Sequence, residues 1–216
     1  MGPDGGIGIV GHPGFGATLL LGGSMLATPS LSSHFVARLE ADLTLDWVVQ
    51  GEASALDPGE RVVFAPDGTA WASAADAETV PGAAPGAMTT QGYLAHYDAD
   101  GTLLEALVPS ATIRDVALDP AGVPLVAGTF ADGQDAGSGP LTGPQGGAFV
   151  AKNGPGLTPL WVRTAVATAG VATLDRIDVD ANGRAAVAGT SMIDVGLPSV
   201  VGNGSADDAF VAVLAP

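Results

Sequence analysis

Four apolar segments along the chain begin with an aromatic residue and then alternate between small and larger side chains. They are FVARLE from Phe35, YLAHYD from Tyr93, FVAKN from Phe149 and FVAVL from Phe210. Alternation with a period of two is typical of a β-strand, and recurrence at a spacing of roughly 57 residues is typical of a repeat protein. The pattern therefore predicts the same kind of strand in four consecutive units.

A second strand follows each of the first three segments after a short polar turn. The segments LTLDW, GTLLE and LTPLW end at Trp47, Glu105 and Trp161, and turn residues such as Asp, Gly and Pro precede them. Two apolar runs separated by such residues predict a β-hairpin. Each of these aromatic segments is therefore predicted to be one arm of a hairpin.

Another hairpin follows in every unit. Its first arm is RVVFA, DVALD or RIDVD, its turn is PDG, PAG or ANG, and its second arm is TAWASA, VPLVAGT or RAAVAGT. A small residue stands six positions after the turn glycine in each second arm, as Ala74, Gly128 and Gly189. Gly5 and Gly11 have the same spacing of six residues near the N-terminus. Each unit thus has four short strands, and helix is nearly absent.

These units predict an all-β fold. Hairpin pairs cannot bury their own apolar faces, whereas four-stranded sheets packed face to face around an axis bury both faces of every sheet. We therefore predict a β-propeller-type array of four-stranded antiparallel blades that forms an incomplete or open ring. The predicted single repeat domain, residues 1–216, divides into the last strand of a preceding blade with a loop (1–34), three blades (35–92, 93–148 and 149–209) and the first strand of a further blade (210–216).

The repeat resembles the bacterial seven-bladed beta-propeller repeat family. The motifs that carry the resemblance are GAFVAKN, LTPLW, RIDVDANGRAAVAGTS and DAFVAVL in the third unit and VALDPAGVPLVAGTF in the second, while AWASAAD replaces the usual ending in the first. The resemblance implies a propeller fold and an exported or cell-surface bacterial location. It specifies no ligand.

The chain accounts for about three and a half blades of such a propeller. Joining its first and last strands would give a blade of only two strands, so we expect a segment of a larger propeller or an open arc. Both leave exposed sheet edges, which invite self-association or pairing with another chain.

Composition narrows the choice of partner. The chain has 23 acidic and 7 basic residues, for a formal net charge of −16. Such a surface repels nucleic-acid phosphates and anionic membranes. Cysteine is absent, which excludes disulfides and thiolate chemistry. The apolar stretch 7–26 is interrupted by His12, Pro13 and glycines and lacks a preceding cation, so we expect neither a signal peptide nor membrane insertion.

One segment is similar to the opening of a calcium loop. In DVDANG, residues 178–183, alternating oxygen-bearing side chains follow the spacing of calcium ligands. The position that should supply a bidentate glutamate is Gly189, however, and the equivalent segments 63–68 and 117–122 lack the alternating set, with one acid each, Asp67 and Asp119. Asp98 and Asp100 align in the same way with ordinary turns. We therefore predict hairpin turns, no metal site and no cofactor.

The three histidines, His12, His34 and His96, occupy different repeat positions. A metal site or a catalytic base needs neighbouring ligands or a placed carboxylate, so we interpret them as surface groups without chemistry. His96 aligns with Arg38 and Lys152, which gives each blade a basic residue on its aromatic strand. In an enzyme, these three residues would line the central funnel.

The remaining motifs predict no catalytic residues. GHPGFG, residues 11–16, lacks the Lys and Ser/Thr of a phosphate loop, and no serine lies in a Gly-x-Ser-x-Gly turn. Trp47 and Trp161 share one repeat position at the end of an apolar strand. That position favours core packing between blades over a sugar-stacking surface.

These observations predict a non-enzymatic repeat scaffold that binds an unidentified protein or glycan through its blade loops, with the binding residues left unassigned. The longest predicted loops span residues 13–34 and 76–92. One alternative is a propeller enzyme with its active site in the central funnel. Another is a structural or adhesive spacer, which calcium would stiffen.

Overall fold

A computed structural model of the chain describes residues 2–11, 18–26, 33–52, 61–75, 79–83, 92–166, 172–191 and 208–214. These residues form antiparallel strands and a single 3₁₀ turn, Pro155–Leu157. The described part of the chain contains no helix of a length and apolarity that would cross a membrane. The chain divides into two compact units, residues 1–108 and 109–216.

The first unit contains two sheets and a separate hairpin. Its first sheet has the order β1-β4-β5, its second sheet has the order β6-β7-β8-β9, and strands β2 and β3 pair only with each other among the described residues. The strands are β1 (Ile7–Gly11), β2 (Leu19–Leu21), β3 (Ser24–Leu26), β4 (Ser33–Leu39), β5 (Leu45–Glu52), β6 (Arg61–Phe64), β7 (Ala70–Ala75), β8 (Gly92–Tyr97) and β9 (Leu103–Leu107).

The second unit contains the third and fourth sheets. The third sheet has the order β10-β11-β12-β13, and the fourth has the order β14-β15-β16. The strands are β10 (Thr112–Leu118), β11 (Pro124–Phe130), β12 (Gly147–Asn153), β13 (Pro159–Ala165), β14 (Arg176–Val179), β15 (Ala185–Ser191) and β16 (Asp208–Leu214). The predicted all-β fold with blade-like, four-stranded antiparallel sheets is confirmed.

The four aromatic residues at the start of the repeats occupy equivalent places. Each lies directly opposite the small residue of the preceding strand, in the pairs Phe35 with Gly11, Tyr93 with Ala74, Phe149 with Gly128 and Phe210 with Gly189. A small residue leaves room for the ring across the strand pair. The sequence repeat is therefore also a repeat of strand register.

The next hairpin repeats equally closely. Its opposed pairs are Arg38 with Trp47, His96 with Glu105 and Lys152 with Trp161, and an irregularity in the register follows each pair immediately. The same β-bulge at the same place in three hairpins shows that the repeat extends to local backbone geometry.

The second and third sheets each combine strands from two consecutive predicted blades, whose ranges are 35–92, 93–148 and 149–209. The second sheet joins the last two strands of one sequence unit, β6 and β7, to the first two of the next, β8 and β9, and the third sheet is assembled in the same way. The aromatic strand is thus the third strand of a sheet, and β1 pairs with β4 in the first sheet. Sequence periodicity defines the length of a repeat but not the strand at which a sheet begins. The order of strands along the chain is the same whether a sheet starts with the aromatic strand or two strands earlier.

Sheet faces of each unit pack to form its core. In the first unit, Val36 and Trp47 of the first sheet meet Tyr93 and Tyr97 of the second. In the second unit, Val150 of the third sheet meets several buried residues of the fourth, namely Ile177, Val187, Phe210 and Ala212. The opposite face of the first sheet is covered in part by Leu19 and Leu21 of the β2–β3 hairpin.

Candidate binding surface

Each residue at the basic position of the repeat lies next to an acidic side chain. The Arg38 guanidinium forms an ion pair with Asp4, lies 3.4 Å from Asp46 and is stacked over the Phe64 ring, and Arg38 is almost fully buried. The ammonium group of Lys152 lies 2.8 Å from Asp119. His96 stacks on Trp71 with a centroid distance of 4.0 Å and places Nδ1 3.4 Å from Glu105.

These three residues lie on three different sheets, and each has an acidic neighbour within its own unit. Their repeat position therefore joins the aromatic strand to neighbouring turns and strands. In this arrangement, each basic side chain contacts an acidic residue of its own unit.

The acids in the hairpin turns accept backbone hydrogen bonds. Asp98 Oδ1 accepts from the amides of Asp100 and Thr102, and Asp67 Oδ1 accepts from the amide and hydroxyl of Thr69. The Thr69 groups hold the pKa of Asp67 below its usual range. A carboxylate that accepts amides two and four residues ahead closes an Asx-type turn.

The calcium-like segment 178–183 has the same turn geometry. Asp180 Oδ1 accepts from the amides of Asn182 and Arg184, and its other oxygen pairs with the Arg184 guanidinium at 2.6 Å. The Arg184 amide and guanidinium lower the pKa of Asp180. Asp178 accepts from the Val179 amide. Among the described residues, no group of three or more His, Asp or Glu side chains is arranged to hold a metal ion.

The Asp119–Lys152 pair predicts a specific pH dependence. Burial alone would raise the pKa of Asp119, but Lys152 and the amides of Val123 and Ala121 outweigh it and hold the pKa below its usual value. A lowered pKa stabilises the fold above the pKa of the unfolded state, and that stability is lost as the pH falls through the folded pKa. Asp119→Asn should therefore cost about 1 kcal/mol near pH 7, and this cost should shrink as the pH is lowered towards about pH 2.

Urea unfolding curves measured between these pH values would test the prediction. Asp100→Asn removes the same charge from an exposed turn and is the matched control. An equal destabilisation by Asp119→Asn at both ends of the pH range would contradict the role of the ion pair.

The interpretation of the histidines as surface groups is wrong for His34. His34 on β4 is fully buried, and its Nε2 lies 3.1 Å from the Tyr93 hydroxyl. The hydroxyl of Tyr97, whose pKa burial raises, donates to the Pro81 carbonyl. These polar groups are buried within the first unit and organise its core. His12 and residues 12–16 of GHPGFG lie outside the described residues.

The aromatic side chains offer no platform for a sugar ring in the described part of the chain. Trp47 and Trp71 are buried, and Trp161 is half-buried beneath the Arg163 guanidinium, whose Cζ lies 5.1 Å from the ring centroid. The described Phe and Tyr residues are likewise buried or half-buried. The predicted core packing of Trp47 and Trp161 is confirmed.

The outer face of the fourth sheet is the most distinctive surface of the described chain. Val211 and Val213 of β16 are 69 % and 65 % exposed. The repeat counterparts of Val211 are Val36, Leu94 and Val150, which are 0 %, 0 % and 3 % exposed. Val36 and Val150 pack against the following sheet of their unit. Among the described residues, the fourth sheet therefore exposes a face whose counterparts in the first and third sheets are packed against a neighbouring sheet.

A groove of about 430 Å³ lies on the opposite side of β16, where Phe210 and Leu214 face the third sheet. It runs between β13 of the third sheet and β16 of the fourth, and its lining includes Val150, Arg163, Ala165, Leu174, Phe210 and Leu214. Val150, Leu174 and Phe210 also belong to the core between these sheets. The groove is therefore a continuation of the core towards solvent, and we call it the edge groove.

One sequence feature distinguishes this surface from its counterparts in the other units. Val213 stands where the other units have Arg38, His96 and Lys152, so β16 alone has an aliphatic residue at the basic position. Most of the predicted binding loops 13–34 and 76–92 lies outside the described residues, and the part that is described includes the β2–β3 hairpin. The loop prediction itself stays a prediction.

Comparison with protein-family models and with curated protein sequences finds no match for this chain. The class of protein that the structure defines is an all-β repeat protein with blade-like sheets. Membership of the seven-bladed propeller repeat family stays a prediction from the motifs.

Proposed function

We propose that the chain is a non-enzymatic repeat scaffold that binds a protein partner through its fourth sheet. The observation that carries the proposal is the exposure of Val211 and Val213 on a face whose counterparts in the other sheets are buried or half-buried. Exposed apolar patches on soluble proteins mark interaction sites, because leaving such area in water is unfavourable.

A protein partner fits this surface better than a glycan does. Glycan recognition relies on exposed aromatic faces, whereas the large exposed apolar residues in the described chain are all aliphatic. They are Leu20, Met25, Leu43, Leu104, Val108, Leu160, Val211 and Val213. Aliphatic side chains next to an open strand edge complement another polypeptide.

The placement of the polar residues supports a scaffold. Arg38, His96 and Lys152 have acidic neighbours, and Asp67, Asp98 and Asp180 are bound to turn amides. Acids and bases used in this way maintain strand register and turn shape. An exported or surface-attached bacterial location is part of the proposal and is supported by the family resemblance.

Site-specific photo-crosslinking would test this function. A photoreactive amino acid would replace Val211 in one preparation and Leu104, which is 53 % exposed on β9, in the other. In extracts of the cells that make the protein, we expect discrete protein adducts at position 211 in roughly fivefold excess over position 104. A further Val213→Lys substitution should remove them. Equal labelling at both positions would overturn the proposed function.

A further inference from the structure

Each asparagine in the chain is followed by a glycine. The three pairs are Asn153–Gly154, Asn182–Gly183 and Asn203–Gly204. Such pairs favour deamidation, because the nitrogen of the next residue can attack the side-chain amide carbon and glycine has no side chain to obstruct the approach. Since the local sequence is shared, differences in reactivity between these pairs come from the fold. Asn203 lies outside the described residues.

The two described asparagines differ in their access to water. Asn153, at the end of β12, is 0 % exposed, and a Cβ atom at Gly154 would lie 3.0 Å from the Leu160 side chain. Asn182 is exposed in the turn between β14 and β15, and a Cβ atom at Gly183 would meet no described atom within 4 Å. Of the two, Asn182 therefore has both the space and the water that deamidation requires.

The turn around Asn182 is closed by two backbone hydrogen bonds. The Gly183 amide donates to the Asp180 carbonyl at 2.9 Å, and the Asp180 amide donates to the Arg184 carbonyl at 3.0 Å. Attack by the Gly183 nitrogen breaks the first of these bonds. Opening a turn at the surface requires far less free energy than opening a buried strand. The turn therefore slows the reaction at Asn182 much less than burial slows it at Asn153.

The first unit contains the same turn with an aspartate at the corresponding position. Asp67 stands directly before Gly68, as Asn182 stands before Gly183. The Gly68 amide donates to the Ala65 carbonyl at 3.0 Å, and the Ala65 amide donates to the Thr69 carbonyl at 2.9 Å. The φ angles of the two turn glycines are 89° and 79°. An aspartyl residue at position 182 therefore fits this turn.

We propose that Asn182 is a site of spontaneous deamidation that alters the β14–β15 hairpin as the protein ages. The Gly183 nitrogen loses its proton to solvent and bonds to the side-chain carbonyl carbon of Asn182. The bond from that carbon to the amide nitrogen breaks, ammonia leaves, and a cyclic imide remains. Water then opens the ring at either of its carbonyl carbons and gives an aspartyl or an isoaspartyl residue. Water is the one co-reactant.

The two products have different effects on the fourth sheet. The aspartyl product keeps the backbone as it was and adds a negative charge in an exposed turn. In the isoaspartyl product the backbone runs through the former side chain and is longer by one atom, so the two hydrogen bonds of the turn cannot both form. The adjacent strand pair is Val179 with Ala185. The isoaspartyl product therefore loosens this end of the hairpin, and the aspartyl product does not.

Peptide mapping of the aged full chain would test the site. Trypsin cleaves after Lys152, Arg163, Arg176 and Arg184, which places positions 153 and 182 in separate peptides. During incubation in mildly alkaline water enriched in heavy oxygen, position 182 should deamidate at least about tenfold faster than position 153. In guanidinium chloride the two rates should become equal. Deamidation at position 182 that is no faster than at position 153 in the folded chain, or a ratio that the denaturant leaves unchanged, overturns the proposal.

Two variants test the effect on the hairpin. Asn182→Asp reproduces one product, and Asn182→Ala introduces the residue that the second sequence unit has at the corresponding position, Ala121, so the turn accepts both. In both variants, hydrogen exchange at the Asp180 amide should equal that of freshly prepared protein, and Asn182→Ala should keep this rate on ageing. The isoaspartyl fraction of the aged protein should exchange there about tenfold faster. Exchange in that fraction equal to that of Asn182→Asp would overturn the proposed loosening.

Discussion

Gly128→Ala is expected to lower the free energy of unfolding of the second unit by about 3 kcal/mol. A Cβ atom at Gly128 would lie 2.0 Å from the Thr112 carbonyl oxygen and 3.0 Å from the Phe149 ring. The carbonyl belongs to the neighbouring strand β10, and backbone cannot rotate away as a flexible side chain can. The strand pair must therefore separate locally. The effect is steric, because the φ angle of Gly128 does not lie in the left-handed region.

Gly11→Ala is the matched control for this prediction. Gly11 occupies the same repeat position on β1 and lies opposite Phe35. Its new Cβ would meet only the Phe35 ring, at 3.7 Å, which is an ordinary contact. We expect a change within about 0.5 kcal/mol. Native-state hydrogen exchange of β11 and β1 amides would measure each unit separately, and equal losses for the two variants would refute the steric argument.

Asp115→Ala is expected to destabilise the second unit by about 2 to 3 kcal/mol. Asp115 is 1 % exposed on β10, and its two oxygens accept from the amides of Val116 and Ile177, each at 2.9 Å. The Ile177 amide belongs to β14, so one carboxylate links the third sheet to the fourth. Alanine would leave a buried N–H group without this acceptor, and such a group carries its full desolvation cost.

Asp178→Ala is the control for the buried carboxylate. Asp178 accepts from the amide of the next residue, Val179, as Asp115 does from Val116, but Asp178 is exposed. Water replaces its hydrogen bond, so we expect a loss of about 0.5 kcal/mol or less. Urea unfolding would give both values. The link between the sheets would be excluded if Asp115→Ala left the exchange rate of the Ile177 amide unchanged.

The period of the fold could be predicted from the sequence because each strand has its own local signature. Aromatic residues, turn glycines and small residues in the second arm recur together, and the structure pairs them as expected. The starting point of each sheet could not be predicted. Strands β7 and β8 are joined by a long segment, and no residue in that segment indicates that they pair.

The ion pairs formed at the basic position of the repeat could not be predicted from the sequence for a different reason. Asp4 lies immediately before its turn glycine, Gly5, whereas Asp119 lies three residues before the corresponding Gly122. An alignment of the repeats therefore places the two acids in different columns. Only the folded turns show that both carboxylates pair with the basic residue of the aromatic strand.

The buried polar residues have no repeat signal. The positions equivalent to Asp115, counted back from the turn glycine, are Arg61 and Arg176, and neither predicts a buried acid. His34 precedes an aromatic strand where the other units have Gly92, Ala148 and Ala209. Such residues are specific to one interface between sheets, so a pattern common to all units cannot reveal them.

The sheets are offset by half a repeat, so the segment of sequence that recurs is not the segment that forms a complete sheet. A duplication of residues 93–148 would add two halves of different sheets, each of which needs a neighbour to complete it. A cut between residues 108 and 109, in contrast, leaves all the described sheets intact. Module exchange between proteins of this kind would therefore be most successful at that junction, although it lies inside a sequence unit.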